Sequence, residues 1–173
     1  ENYFDQRVSS LETLPINLKS AWREVLLEAS VMLRSQLGDD FILASFSHKD
    51  PIVVASAIRT AGTTRDVIWV LPLIGFLSEV RYRPQVKKEL LRYGEGLISI
   101  LENLLEVKLP DVTDARHLPA LLKVINSPKS TLLLFELVEK YYSNDLILRK
   151  ETFRALNTLK RNFPKLIIPA KGI

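Results

Sequence analysis

The sequence of 173 residues contains no cysteine. This absence excludes disulfide bonds, thiolate metal sites and a cysteine nucleophile. It is compatible with a reducing compartment, and we therefore expect a cytoplasmic location.

Long hydrophobic runs are also missing. The longest is VIWVLPLIGFL, eleven residues from Val67 to Leu77, whereas a membrane-spanning helix needs about twenty. We interpret the run as part of a buried helix that Pro72 bends, and we predict no membrane span. With only six glycines and nine prolines, the chain has no low-complexity linker.

Apolar and polar residues do not alternate over any long stretch, so the sequence predicts no strands. Apolar positions recur every three or four residues instead, which indicates amphipathic helices. One predicted helix begins at the N-cap Asp50 with Pro51 and ends at Gly62, and another ends at Gly94. Short connections between such segments favour antiparallel packing of consecutive helices.

The same helix pattern returns along the chain. Val53, Val86 and Leu148 occupy equivalent positions at shifts of 33 and 62 residues, and Asp50 then aligns with Asp145. A period near thirty residues with two helices in each unit is typical of an α-solenoid.

Two segments, VLPLIGFLSEVRYRPQVKKELLRYG and TLLLFELVEKYYSNDLILRKETFRALNTL, resemble units of the HEAT-repeat (armadillo-like) family. The resemblance implies an all-α fold, a right-handed solenoid of antiparallel helix pairs. It implies a single domain over residues 1–173, with a divergent capping helix at 11–37, about four repeats at 39–161 and an extended tail at 162–173. The stretch ARHLPALLKVI…DLILRKETFRALNTLKR is also similar to the HEAT segment attached to bacterial nucleotide-carrier-like transporters.

Positive charge is concentrated near the C-terminus. Residues 145–173 hold seven basic and two acidic side chains, and the net charge of the whole chain is +4. Arg149, Lys160 and Arg161 are therefore candidate contacts for an acidic partner, and a solvated helix face is the alternative.

Three arginines, Arg59, Arg92 and Arg154, fall at equivalent repeat positions. The HEAT resemblance places them on the concave surface. They either pair with acids such as Glu89, Glu151 or those of a neighbouring repeat, or they bind an acidic peptide or phosphates.

Tyr141 and Tyr142 end a predicted helix, where they either contact a partner or pack between repeats.

Candidate catalytic groups do not form a convincing set. The two histidines are His48 and His117. Ser45, Ser47, His48 and Asp50 lie within six residues, which suits turn and capping roles better than a catalytic triad. Asp111, Asp114 and His117 have helical metal-ligand spacing, but the acids also sit where a helix N-terminus is capped. We predict no enzyme activity, catalytic residue, cofactor or metal.

These observations favour a non-catalytic protein-interaction scaffold with an acidic protein partner. The transporter resemblance adds a cytoplasmic regulatory segment of a larger membrane transporter, with a membrane domain of the same chain as partner. The alternative is a nucleic-acid-binding HEAT-like protein, including the alkylated-base glycosylase type. Five acids in the middle of the chain count against a continuous basic surface: Glu95, Glu102, Glu106, Asp111 and Asp114.

Overall fold

The computed structural model describes residues 36–107 and 110–165, together with residues 21, 23, 25–27 and 29. Within these residues the chain is helical and has no strand, which confirms the predicted all-α class. In the continuous described ranges, 36–107 and 110–165, the α-helices are α1 Gln36–Ser45, α2 Pro51–Thr64, α3 Val70–Ile74, α4 Arg83–Leu91, α5 Gly96–Val107, α6 Val112–Ala115, α7 Leu118–Ile125, α8 Lys129–Glu136 and α9 Leu146–Asn162. A 3-10 turn, Val67–Trp69, precedes α3, and a π-helical turn, Leu137–Tyr141, follows α8.

The chain divides into two compact units, one up to Trp69 and one from Val70 onward. In the first unit α1 packs on α2. Its core includes Ile42, Ala57 and Ile58, and the rings of Phe46 and Trp69 meet edge to face with centroids 6.1 Å apart. Such a ring pair adds about 1 kcal/mol to the burial of its apolar area.

In the second unit α4, α7 and α9 pack in succession, because α7 contacts both of the others. Helix α3 packs on α4, and α8 contacts α5, α7 and α9. Fully buried leucines such as Leu97, Leu118 and Leu134 fill the space between these helices. Burying each one stabilises the fold by about 2 kcal/mol relative to exposure.

The equivalent repeat positions Val53, Val86 and Leu148 are all fully buried. The predicted N-cap Asp50 also forms, and Asp145, which aligns with it, is an N-cap too. The Asp50 carboxylate accepts the N–H of Ile52 at 2.9 Å, and the Asp145 carboxylate accepts that of Leu148 at 2.6 Å. The repeated sequence pattern therefore marks the start of α2 and of α9 correctly.

The predicted end of α2 at Gly62 is wrong, because the helix continues to Thr64 and Gly62 is buried in its last turn. Arg65 takes the left-handed conformation instead, with φ of 54°. Gly94 has φ of +57°, a conformation that glycine adopts without strain. The chain does turn there between α4 and α5, as predicted.

Two prolines lie in the first turn of a helix rather than in the interior of a long one. The bend predicted at Pro72 does not occur within a long helix, because α3 spans only Val70–Ile74 and Pro72 lies in its first turn. Residues 111–125 divide into α6 and α7, with Pro119 in the first turn of α7. Proline is tolerated there because its missing N–H would have no acceptor within the helix.

Among the described residues, no helix is both long enough and apolar enough to cross a membrane. Most of the predicted capping helix 11–37, and the tail beyond Lys165, lie outside the described residues.

Candidate functional site

The second unit has a shallow, open cleft with a volume of about 310 Å³. We call it the tyrosine cleft. It is lined by Val112, Tyr141, Tyr142, Ser143, Asn144 and Asp145. The predicted contact residues Tyr141 and Tyr142 therefore both belong to it.

The π-helical turn at the end of α8 places the two tyrosines. The N–H of Tyr142 donates to the carbonyl of Leu137 at 2.9 Å, five residues back. The backbone of Tyr142 then leaves helical geometry, with φ of −133° and ψ of 46°. Single π turns occur frequently at functional sites, because the wider turn changes the direction of the side chains that follow.

Tyr142 connects this turn to the chain before α6. Its hydroxyl donates to the carbonyl of Pro110 at 2.7 Å. Burial, followed by the charges of Asp111 and Asp114, raises the pKa of Tyr142 to about 12. The phenol therefore stays protonated at neutral pH and remains a hydrogen-bond donor.

The other wall of the cleft is fixed by an ion pair between Arg116 and Asp145. Nη2 of Arg116 lies 2.6 Å from Oδ2 of Asp145, and Nε lies 3.2 Å from both carboxylate oxygens. The hydrogen bond from Arg116, then that from the N–H of Leu148, lowers the pKa of Asp145. Asp145 thus caps α9 and binds the turn between α6 and α7 at the same time.

Lys140 and Tyr141 form one edge of the site. The Lys140 ammonium lies 4.7 Å from the centre of the Tyr141 ring and 3.3 Å from Oε1 of Glu106. Hydrogen bonding to Tyr141, and then to Glu106, raises the pKa of Lys140. Just beyond the cleft, Leu146 and Ile147 are exposed on the first turn of α9, with Leu146 77% exposed.

The lining offers phenol rings, one hydroxyl and one amide for contact. Ser143 and Asn144 are exposed to solvent, while both oxygens of Asp145 already accept hydrogen bonds. These groups can pack against apolar side chains and exchange hydrogen bonds with a bound polypeptide.

The candidate arginines do not enter the cleft. Arg59 lies exposed on α2 of the first unit. Nε of Arg92 is 2.8 Å from Oε2 of Glu89, and Nη1 of Arg154 is 2.6 Å from Oε1 of Glu151. Each of these two pairs joins residues three apart, and Glu89 and Glu151 are the acids that the sequence analysis names as possible structural partners.

The remaining basic candidates all belong to α9. Arg149 is half-buried, whereas Lys160 and Arg161 are exposed in the last turn. They share this helix with Asp145, whose carboxylate lies at the cleft. The structure thus gathers these candidates onto one helix.

Ser45, Asp111 and Asp114, which were considered for catalysis or metal binding, form hydrogen bonds with backbone groups. The Ser45 hydroxyl donates to the Phe41 carbonyl at 2.8 Å, and Asp111 accepts the N–H of Thr113 at 3.2 Å. Buried Asp114 accepts the N–H of Ser78 at 3.1 Å. No group of three or more potential metal ligands occurs in the part of the chain that the structure describes.

Sequence reasoning missed the Arg116–Asp145 pair. The two residues are 29 apart, close to the period of about thirty residues predicted from the sequence, so this predicted period was the available signal.

No family model, curated protein or solved structure is detectably similar to this chain.

Proposed function

We propose that this chain is a non-catalytic protein-interaction module that binds an extended segment of a partner protein in the tyrosine cleft. The observation that carries the proposal is the cleft itself, where Tyr141, Tyr142 and the start of α9 form one recess.

The shape and chemistry of the cleft favour a polypeptide ligand. A recess that is shallow and open encloses little of a small molecule, whereas pockets for small ligands bury most of the ligand surface. Tyrosine is enriched at protein interfaces because its ring packs while its hydroxyl hydrogen-bonds. Leu146 and Ile147 extend the contact area with exposed apolar surface.

The charge of α9 suggests which partner segment fits. Arg149 and Lys150 follow the apolar first turn, and Lys160 and Arg161 close the helix. A segment with an apolar or aromatic anchor and neighbouring acidic residues would match both features.

We infer further that the module is a HEAT-like solenoid. Helices α4, α7 and α9 follow one another in one row, and α5 contacts α8. This is the packing expected when helix pairs stack. Burial of Val86 and Leu148 at equivalent positions also supports this arrangement.

The proposal is tested by selecting peptides from a random display library on the wild-type protein. Enriched peptides should carry an apolar anchor beside Asp or Glu. Their affinity is then measured by fluorescence anisotropy for wild type, Leu146→Glu and the control Val80→Glu. Leu146 and Val80 are matched, with exposures of 77% and 76%.

Leu146→Glu should weaken binding about tenfold or more, as expected for an anchor contact. Val80→Glu should leave binding within about twofold, because exposed substitutions away from a site change little. Equal loss in both variants, or no enriched peptide, would contradict the proposal. Circular dichroism establishes that both variants remain folded.

A further inference from the structure

A second polar feature lies on α4 and α7 and consists of residues that do not line the tyrosine cleft. It consists of Arg83 and Lys87 on α4, and His117 and Lys123 at the start and within α7. We call these four residues the cationic cluster. Helices α4 and α7 pack together, and each of the four side chains is half-buried.

Hydrogen bonds to the backbone of Leu77 and Ser78 position the Arg83 side chain. The Arg83 guanidinium donates from Nε to the Leu77 carbonyl at 2.6 Å and from Nη2 to the Ser78 carbonyl at 2.8 Å. The N–H of Ser78 donates to Asp114. The N–H of His117 in turn donates to the carbonyl of Asp114 at 3.1 Å. Arg83 is therefore positioned beside the turn that carries His117.

Lys87 lies one turn after Arg83 on the same face of α4. Burial, followed by the positive charges of Arg83 and Lys123, lowers its pKa. Three positive side chains thus influence one another across the two helices.

The positive charges of Arg83 and Lys87 also act on His117. Burial, Arg83 and Lys87 lower its pKa, while the carboxylates of Asp114 and Glu151 act in the opposite direction. Both acids are already engaged, since Asp114 accepts the N–H of Ser78 and Glu151 pairs with Arg154.

No member of the cationic cluster forms an ion pair with another residue in the described part of the chain. Like charges crowded in partly desolvated surroundings repel one another unless a counter-charge enters. A multivalent anion relieves this repulsion more effectively than a monovalent ion, because one ligand can accept hydrogen bonds from several donors.

We propose that the cationic cluster is a binding site for a phosphate group, held by Arg83, Lys87, Lys123 and the imidazole of His117. Phosphate oxygens accept hydrogen bonds from ammonium donors and from guanidinium donors at once. Arg83 would contribute Nη1, because its Nε and Nη2 donate to the carbonyls of Leu77 and Ser78. This site is independent of the tyrosine cleft and does not rest on the proposed interaction function.

The two histidines of the chain provide a direct test. His48 lies in the first unit, where its Nδ1 accepts the N–H of Asp50. Proton NMR follows the imidazole resonances of both histidines, assigned with His117→Gln, during titration with inorganic phosphate at constant ionic strength. Phosphate should raise the titration midpoint of His117 and leave that of His48 unchanged.

Lys87→Gln should weaken phosphate binding about tenfold, the expected effect of removing one charge-assisted hydrogen bond. Lys88→Gln is the matched control, because Lys88 is an exposed neighbour on the same helix. Equal effects of the two variants would overturn the proposal. So would a His117 response that sodium chloride reproduces at the same ionic strength, or no response to phosphate.

A second arm distinguishes the sources of the phosphate group. Phosphatidylcholine vesicles with and without phosphatidic acid are tested for sedimentation of wild type and Lys87→Gln. Binding that requires both phosphatidic acid and Lys87 assigns the ligand to a lipid headgroup. Phosphate binding in solution without vesicle binding assigns it to a soluble phosphate compound. Each of these results supports the site.

Discussion

The arginine–glutamate pairs at the end of α4 and in the middle of α9 have the same spacing but different surroundings. Arg92 pairs with Glu89, and Arg154 pairs with Glu151, each across three residues. The Glu89 side chain is only 2% exposed, whereas that of Glu151 is 36% exposed. Arg92 and Arg154 are 36% and 61% exposed.

This difference teaches that burial, rather than spacing, determines what such a pair contributes. The contact between Arg92 and Glu89 Oε2 is close, but it is not aligned as a hydrogen bond. Glu89 therefore depends on the nearby positive charge to compensate for its burial. Glu151 is hydrated, so its pair with Arg154 competes with water and contributes little.

The largest expected effect is that of Arg92→Ala. Removing this arginine leaves the Glu89 carboxylate buried without its ion-pair partner, so the free energy of unfolding should fall by about 2 kcal/mol. This figure is below the usual cost of breaking a buried pair because Arg92 is partly solvated. Urea denaturation provides the measurement, and a loss no greater than that of Arg154→Ala would contradict the comparison.

The ion pair between Arg116 and Asp145 joins residues of different helical segments and so differs from the two pairs within one helix. Asp145→Ala removes both the N-cap of α9 and the contact to Arg116, and should lower the free energy of unfolding by about 1 kcal/mol or more. The folded-state pKa of Asp145 lies below its ordinary value of 3.8. The stabilisation is therefore fully present above that value and disappears as the pH falls through the lower folded pKa.

Urea denaturation of wild type and Asp145→Ala at several pH values measures this effect. The stability difference between the two proteins should be constant near neutral pH and should shrink in acid. A difference that grows as the pH falls would have the wrong sign.

A smaller effect should follow from adding Glu89→Gln to the Arg92→Ala variant. The amide removes the buried charge at similar volume, so the double variant should recover about 1 kcal/mol of the stability lost with Arg92. Glu151→Gln added to Arg154→Ala is the matched control and should recover nothing measurable. If Glu89→Gln and Glu151→Gln recover the same amount of stability, the burial of Glu89 does not explain the loss caused by Arg92→Ala.

The smallest expected effect is that of Arg154→Ala alone, at most about 0.5 kcal/mol. Its effect should decrease further in high salt, because exposed charges are screened. Thermal melting at low and high sodium chloride concentration checks both expectations. A loss as large as that of Arg92→Ala would show that exposure does not govern these pairs.

Local features of the fold were predictable because short sequence spacing determines them. Asp50 and Asp145 as caps, and Glu89 and Glu151 as arginine partners, each involve contacts within three residues. The helix around Pro72 was predicted too long, because hydrophobic periodicity continues across the 3-10 turn and gives no signal where hydrogen bonding changes. The tyrosines were recognised as candidates, but the cleft around them was not.

The sequence by itself determined that the described residues are helical and that α2 begins after its N-cap Asp50, and it named Glu89 and Glu151 as candidate partners of the arginines. Only the tertiary structure decided that Glu89 is buried, that Arg116 meets Asp145, and that Tyr142 reaches the Pro110 carbonyl. Caps and intrahelical pairs depend on the geometry of one helix, which is the same everywhere. Burial and contacts between residues about thirty positions apart depend on which helices pack together, and that is a property of the whole unit.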